Sequence, residues 1–189
     1  WGEFYDIINR CNTVLHYSPL VAERDPNYTE TELMATRAEV SAIRDLCYFY
    51  LIRTFRDVPY STQPFLDELQ QMAMPATKFD AVLDSLITDL ENVKSYAVKT
   101  YPVSKTNYQC GRITQDAIHA MLAEMYLWKK DYANSVKYAD MVIDAKTQRF
   151  QNEIDNAGGN SSSYKMFEGY PLIYDSYTTG NLYGNAYGT

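Results

Sequence analysis

Residues 37–59 read RAEVSAIRDLCYFYLIRTFRDVP, and this stretch decides the fold. Its apolar side chains recur at steps of three and four residues, which places them on one stripe of a helix. They are Val40, Ile43, Cys47, Tyr50, Leu51 and Phe55. The run from Leu46 to Ile52 is apolar or aromatic nearly all round, so we expect neighbours on both sides of the helix. Pro59 lies just beyond its expected end.

The chain before this stretch predicts a helix that pairs with it. Its apolar face begins at the first residues, and the helix should end near Tyr17, before Ser18-Pro19. A polar loop follows, after which Thr29 or Thr31 can cap the long helix. We therefore expect the two helices to pack as an antiparallel hairpin.

The chain after Pro59 predicts a surface excursion and then a third helix. Pro64 and weak periodicity indicate the excursion, which reaches Pro75, and Thr77 offers a helix cap. Apolar spacing predicts a helix over residues 79–93. Its carboxylates are expected to face water, and they are Asp80, Asp84, Asp89 and Glu91.

Two more helices are predicted around a tight turn at residues 129–131. Thr114 can cap a helix that runs to about Lys129, and Asp131 can cap a helix that runs to residue 146. Small and aromatic residues alternate across this pair in the manner of a tetratricopeptide unit. The sequence therefore predicts an all-α fold of tetratricopeptide-like antiparallel helix pairs, that is, an α-α superhelix.

The character of the chain changes after Thr147. Residues 157–163 are small and polar, and residues 164–189 are rich in Tyr, Gly, Thr and Asn without a helical period. One short strand is predicted around Leu172-Ile173. We divide the chain into a helical portion, 1–150, and an irregular Tyr/Gly-rich segment, 151–189, which begins an incomplete remainder.

Composition argues against several classes of function. A formal net charge of -7 opposes binding to phosphate backbones, so no nucleic acid partner is expected. No apolar run approaches the roughly 18 to 20 residues of a membrane-spanning helix. Cys11, Cys47 and Cys110 have no metal-binding or disulfide spacing, and we expect the first two to be small buried hydrophobes. With two His and no Walker or Rossmann fingerprint, neither a metal nor a cofactor is indicated.

Several groups of residues stand in an order that resembles a known family. Trp1, Tyr5, Ile8, Asn12 and Leu15 match W-x-x-x-Y-x-x-I-x-x-x-N-x-x-L, and residues 39–59 match E-A-x-x-L-R-A-x-Y-Y-F-x-L-x-x-x-F-G-D-V-P. Residues 82–90 resemble V-x-x-x-I-x-x-D-L, with Leu86-Ile87 at the expected Ile, and residues 111–114 match Gly-Arg-x-Thr. Residues 122–127, followed by Asp131-Tyr132-Ala133, keep the order of A-L-L-A-x-x-Y-L-x-x-x-D-Y/W-x-x-A. This series resembles the SusD/RagB family of outer-membrane nutrient-binding lipoproteins.

Two departures from the family pattern bear on the structure. Asp45 stands where the family usually has a small residue, and Arg56 stands where it usually has Gly. The second departure bears on the tightness of the turn that follows the long helix, because Gly is the residue that adopts positive φ without strain.

The resemblance implies non-catalytic binding of a nutrient, chiefly glycan, at the bacterial cell surface. It implies delivery of that ligand to a TonB-dependent SusC-like transporter and a lipid anchor upstream that holds the full-length protein at the outer membrane. In such proteins the tetratricopeptide-like helices form the framework, while rings and polar side chains from less regular segments hold sugars. We expect this chain to be an excised piece of a longer protein.

Candidate ligand-binding residues follow from chemistry alone. Aromatic rings stack on the apolar faces of pyranoses, and polar side chains bond the hydroxyls. Trp1, Tyr174 and Tyr177 are the candidates, and for Trp1 a ring packed at the helix start is the favoured reading. Arg112 at a helix start could bind an anion, but capping by Thr114 is the favoured reading.

Two other functions remain open. The helix pairs alone would support a tetratricopeptide-type scaffold for protein partners. A hydrolase would need paired carboxylates, such as Asp84 with Asp89 or Asp140 with Asp144. These lie on polar helix faces, and no catalytic triad can be assembled, so we expect no enzyme.

Overall fold

The protein is a helical chain with two short hairpins. The computed structural model describes residues 1–67, 70, 73–101, 108, 111–156, 165–167 and 170–175. In chain order the elements are α1 (Gly2–Arg24), α2 (Glu30–Phe55), β1 (Val58–Pro59), β2 (Ala76–Thr77), α3 (Phe79–Val93), a 3-10 turn (Lys94–Tyr96), α4 (Gln115–Trp128), α5 (Tyr132–Asn156), β3 (Lys165–Phe167) and β4 (Tyr170–Asp175). The chain forms two compact units, Trp1–Tyr138 and Ala139–Thr189. The predicted all-α fold is confirmed.

Helices α1 and α2 form the predicted antiparallel hairpin. Trp1 at the start of α1 touches Phe55 at the end of α2, with ring centroids 4.6 Å apart. The hairpin loop ends in a capping box, in which the Thr29 hydroxyl accepts from the Glu32 N–H and the Glu32 carboxylate accepts from the Thr29 N–H at 2.9 Å. Of the two threonines that we considered for this cap, Thr29 is the one used.

The prediction that α1 ends near Tyr17 is wrong. The helix continues through Pro19 to Arg24, and the Asp25 N–H closes its last turn by donating to the Val21 carbonyl at 2.8 Å. Proline removes one backbone donor, yet its fixed φ is itself helical. The turns on either side of Pro19 keep their bonds, so the helix absorbs one missing hydrogen bond without ending.

Helix α2 is the most buried element of the first unit, as predicted. Tyr48, Phe49, Leu51 and Ile52 are each 1% exposed, between α1 on one side and α3 on the other. The predicted stripe is partly wrong, because Tyr50 and Phe55 are about half exposed, at 48% and 50%. Because α2 has neighbours on several sides, its buried face is wider than the predicted stripe and lies at a different angle. This buried face also includes polar side chains.

The turn after α2 is built by Asp57, Val58 and Pro59. Val58 is fully buried and pairs in register with Thr77 across the β1–β2 ladder. The Asp57 carboxylate accepts from the Phe79 N–H at 3.1 Å and from the Lys78 ammonium at 2.7 Å. The cap predicted at Thr77 is therefore wrong: Thr77 is in β2, and Asp57, in the bend just before β1, caps α3.

Arg56 carries the strain of the turn. It closes α2 with φ 68 and ψ -83, a backbone region that non-glycine residues rarely adopt. The chain thus holds an arginine in an unfavourable conformation at the position where the resemblance led us to expect Gly.

Replacing Arg56 by glycine is expected to stabilise the protein by about 1 kcal/mol, because glycine adopts positive φ without the side-chain clash. Urea denaturation followed by fluorescence of Trp1 and Trp128 measures this, since both tryptophans lie in the first unit. Arg53→Gly is the matched control. It lies inside α2 and should destabilise by roughly the same amount. A loss of stability in Arg56→Gly would contradict the assignment of strain.

Helices α4 and α5 form the predicted pair. Thr114 caps α4, its hydroxyl accepting from the Ala117 N–H at 3.4 Å, and Asp131 accepts from the Asn134 N–H at 3.2 Å at the start of α5. The rings of Tyr126 and Tyr138 stack with centroids 5.8 Å apart. Contacts of this kind across a short turn are those of a tetratricopeptide-like pair.

The C-terminal part differs from the sequence prediction in two details. Helix α5 continues through Thr147 to Asn156, past the end that we predicted near residue 146. The strand predicted around Leu172-Ile173 is present as β4, and it pairs antiparallel with β3, which the sequence did not reveal. The division of the chain at residue 150 stays a prediction.

Candidate functional site

The family motifs meet at Arg44, which is 5% exposed. Its guanidinium donates to the Asn12 carbonyl oxygen at 3.1 Å, to the Asp89 carboxylate, and from Nε to Asp45 at 3.4 Å. One side chain thus joins α1, α2 and α3. Asp89, which we expected to face water, is only partly exposed, at 28%, because a buried guanidinium needs acceptors for its five donors. Asn12 is buried at the same guanidinium.

Asp45 is a fully buried carboxyl beside Arg44. Burial raises the pKa of Asp45 well above its usual range, the nearby Asp89 carboxylate raises it further, and Arg44 only partly opposes both. Among the described residues, Asp45 Oδ2 meets no hydrogen-bond donor. When this carboxyl is protonated, its O–H donates to Asp89, and the oxygen no longer lacks a hydrogen-bond partner. We conclude that Asp45 is held as a neutral acid.

A second polar group joins α3 to α4 and α5. The Glu91 carboxylate accepts from the hydroxyls of Tyr126 at 2.8 Å and Tyr138 at 2.7 Å, and it pairs with Lys94. Burial acts to raise the pKa of Glu91, but these hydrogen bonds lower it overall. Glu91, which we expected to face water, is only partly exposed, at 28%, because the two tyrosine hydroxyls and Lys94 converge on it.

Arg112 pairs with Glu39, 73 residues away in the chain. The guanidinium makes a two-pronged contact with the carboxylate, with Nε and Oε1 3.0 Å apart, and its carbon lies 5.4 Å from the centre of the Tyr101 ring. Because Glu39 already occupies the guanidinium, Arg112 offers little to an outside anion. This arrangement favours the capping interpretation of residues 111–114.

A cleft of about 240 Å³ lies between α1 and the segment after β1. The amides of Asn9 and Asn12 in its lining are already used. Asn9 exchanges hydrogen bonds with the backbone of Phe65, at 2.7 and 3.2 Å, and the Asn12 amide donates to the Ser61 and Gln63 carbonyls at 3.1 and 3.2 Å. The cleft is therefore a seam that holds the segment on α1.

The exposed face of α3 has a different character, with two adjoining depressions that share Asp84. One, of about 520 Å³, is lined by Arg44, Tyr60, Thr62, Asp84, Ser85, Thr88, Asp89 and Asn92. The other, of about 300 Å³, is lined by Asp80, Leu83, Asp84, Trp128, Lys129 and Lys130. We call the two together the α3 groove. Sequence reasoning missed it, because Tyr60 and Trp128 come next to α3 only through the tertiary fold.

The three sequence candidates have unequal outcomes. Trp1 is 54% exposed, and its ring packs edge-on against Phe55 and at 5.4 Å from Tyr5 at the helix start, while its assignment to ligand binding stays a prediction. Tyr174 lies in β4, where only the backbone is described. Tyr177 lies outside the described residues. For Tyr174 and Tyr177 the assignment stays a prediction.

Cys11 and Cys47 are free and buried, as predicted. Burial raises the pKa of the Cys11 thiol to about 11, so it remains protonated. Within the described ranges no three His, Cys, Asp or Glu side chains are placed to hold a metal ion. In the same part of the chain, no helix combines the length and the hydropathy that a membrane span requires.

Comparison with known proteins gives consistent matches. Residues 1–127 match the family model SusD-like_3, described as starch-binding, associating with outer membrane. SusD-like protein P2 from Formosa agariphila is 24% identical over 191 residues, which cover 100% of this chain and 35% of that protein. A crystal structure of a SusD superfamily protein from Bacteroides thetaiotaomicron superposes with TM-score 0.70 and 26% identity, covering 78% of this chain and 34% of that one.

A laminarin binding SusD-like protein superposes with TM-score 0.65 and 27% identity, covering 75% of this chain and 29% of that one. The chain thus spans about a third of the length of the relatives it matches.

Proposed function

Since the chain belongs to the SusD-like family, we propose that the full-length protein binds a glycan at the bacterial cell surface without cleaving it. The observation that carries this proposal is the family match over residues 1–127, together with a helical framework that superposes on a laminarin binding relative. The open, polar α3 groove is compatible with it.

We further propose that the protein is lipid-anchored at the outer membrane and delivers its ligand to a TonB-dependent SusC-like transporter. This part rests on the family description and on the motif series, which runs through the described helices. Binding of the hydroxyl-rich ligand expected here needs no cofactor.

The carboxylates considered for a hydrolase support a non-catalytic role. Asp89 is paired with the buried Arg44, and Asp84 is 2.6 Å from the Lys129 ammonium. A general acid needs a raised pKa in a cleft and a partner carboxylate across the substrate. The one carboxyl whose pKa is strongly raised, among the residues described, is Asp45, which is sealed in the core.

A scaffold for protein partners is the second candidate. It is favoured by a stripe of apolar side chains on the exposed side of α1, at 40% to 48% exposure: Ile7, Val14, Tyr17 and Val21. Exposed apolar patches commonly mark protein interfaces.

Isothermal titration of the full-length protein against neutral and acidic polysaccharides tests the proposal. We expect saturable binding to at least one glycan and no shorter products by chromatography after prolonged incubation. Binding confined to protein partners would instead favour the scaffold, and glycan cleavage abolished by Asp84→Asn would overturn the non-catalytic assignment.

A further inference from the structure

We infer that the α3 groove is a saccharide-binding surface and that it takes an uncharged glycan chain. The inference rests on the proposed function, since it assumes that the protein binds glycan. It goes further by assigning residues of the helical framework, and a charge class of ligand, to that binding.

The groove has the dimensions of an extended site. Asp80 and Asn92 lie on α3 about 18 Å apart along the helix axis, given the rise of 1.5 Å per residue. The two depressions of about 520 and 300 Å³ join at Asp84 and are open to solvent. Sites for small ligands typically occupy roughly 300–1,000 Å³. A linear chain can therefore lie along the helix, whereas a closed pocket would exclude it.

An aromatic ring stands at each end of the groove. Trp128 is 46% exposed, and it is held by Phe49, edge-on at 6.4 Å, and by Phe79 at 6.0 Å. Tyr60 packs at 4.8 Å against Tyr48 at the other end. A ring fixed by its neighbours loses little side-chain entropy when a pyranose stacks on it.

Burial raises the pKa of Tyr60 to about 12, so its hydroxyl remains a donor at neutral pH.

Between the rings lie groups that suit sugar hydroxyls. Thr88 donates its hydroxyl proton to the Asp84 backbone carbonyl at 2.8 Å, which leaves its oxygen lone pairs available to accept. Asn92 is exposed and offers both a donor and an acceptor. Asp84, whose side chain is 57% exposed, accepts from Lys129 and keeps further acceptor capacity. The two acceptors at Asp84 and Thr88 can receive hydroxyl protons of a sugar chain, and Asn92 adds a donor.

The charges of the groove cancel. Asp89 is paired with Arg44 and Asp84 with Lys129. The remaining charged residues of the lining are Asp80 and Lys130, which have opposite signs. A sulfated or uronic chain would meet no net positive field here, on a protein whose formal net charge is -7. This balance assigns a neutral saccharide to the groove.

The test measures binding of the full-length protein to neutral polysaccharides (laminarin, amylose, mannan) and to polyanionic ones (alginate, polygalacturonate). We expect wild type to bind a neutral chain. Trp128→Ala should weaken that binding at least about tenfold, and the double variant Thr88→Ala/Asn92→Ala should weaken it by about threefold or more. The matched controls are Trp1→Ala, which removes a similarly exposed tryptophan, and Asp140→Asn on the exposed side of α5; both should bind as wild type does.

The outcomes separate the two proposals. If wild type binds no polysaccharide, the proposed function fails. If wild type binds but the groove variants bind equally well, or if Trp1→Ala alone weakens binding, the α3 groove is the wrong site and the proposed function stands. Preference for the polyanions would overturn the neutral class. Should Trp128→Ala fold poorly, the double variant decides, because Thr88 and Asn92 are exposed.

Discussion

Replacing Arg44 by methionine is expected to lower the free energy of unfolding by about 3–5 kcal/mol, the usual cost of removing one partner of a buried charge pair. The guanidinium is nearly inaccessible and serves three acceptors on three helices, namely Asn12, Asp45 and Asp89. Methionine fills much of the volume but donates no hydrogen bond. All three acceptors would lose their donor in a low-dielectric environment.

Urea denaturation monitored by tryptophan fluorescence measures the loss. Arg53→Met is the matched control, because Arg53 lies on the same helix, pairs with Glu124 at a more exposed position and stacks on Phe49. Its removal should cost no more than about 1 kcal/mol. Equal effects of the two substitutions would show that Arg44 contributes through packing alone.

Replacing Asp45 by asparagine is expected to stabilise the protein, by about 1–2 kcal/mol at pH 8, because the amide is neutral at every pH and can still donate to Asp89. The sign follows from the direction of the pKa shift. The folded-state pKa of Asp45 lies above the unfolded value of 3.8, so the contribution of Asp45 to folding stability is fully present below pH 3.8. That contribution is lost as the pH rises through the raised folded-state pKa. The advantage of the asparagine variant should therefore grow with pH.

Melting temperatures of both proteins from about pH 5 to about pH 9 check this expectation. Asp84→Asn is the control, since its side chain is 57% exposed and it should show no growing advantage. A constant difference between Asp45→Asn and wild type across the range would mean that Asp45 does not titrate there, and the neutral-acid assignment would be withdrawn. A smaller residue, as the family usually has, would remove the same group and leave a small cavity.

Local signals were sufficient to predict most of the helices. The spacing of apolar residues predicted α3 and α4 closely, and side-chain caps at Thr29, Thr114 and Asp131 were recognised because capping depends on residues only three positions apart. The cap that we predicted wrongly is the one supplied by a residue far away along the chain. Asp57 caps α3 across a two-residue strand pair, and no window around Thr77 contains that information.

Burial of polar residues could not be predicted from periodicity. Asn12, Asp89 and Glu91 look like members of solvent-facing stripes, and each has a partner far along the chain that only the packed helices bring near. The resemblance named Asn12, Arg44 and Asp89 as separate motif positions. The structure shows that they are one hydrogen-bonded set, so the motif order reflects a shared tertiary contact.

The residues predicted for the site, Trp1 and two tyrosines of the C-terminal segment, stay predictions. The proposed α3 groove shares their chemistry, rings beside polar groups, but uses other residues. The α3 groove assembles Tyr60, α3 and Trp128 from three separate parts of the first unit. Because the face of α3 is ordinary in sequence, its significance depends on which rings the fold places beside it.

The segment between β1 and β2 can be replaced by a loop of different sequence without disturbing the helices. Its ends lie side by side, since Pro59 pairs with Ala76. Tyr5, Asn9, Asn12 and Tyr48 hold it through main-chain atoms of residues 59, 61, 63 and 65. Anchors of this kind do not depend on side-chain identity, and doubling the length of a loop costs only about 0.6 kcal/mol. Tyr60 and Thr62 belong to the segment and line the α3 groove. Replacing the segment by another loop would therefore change part of the groove lining without changing the helices.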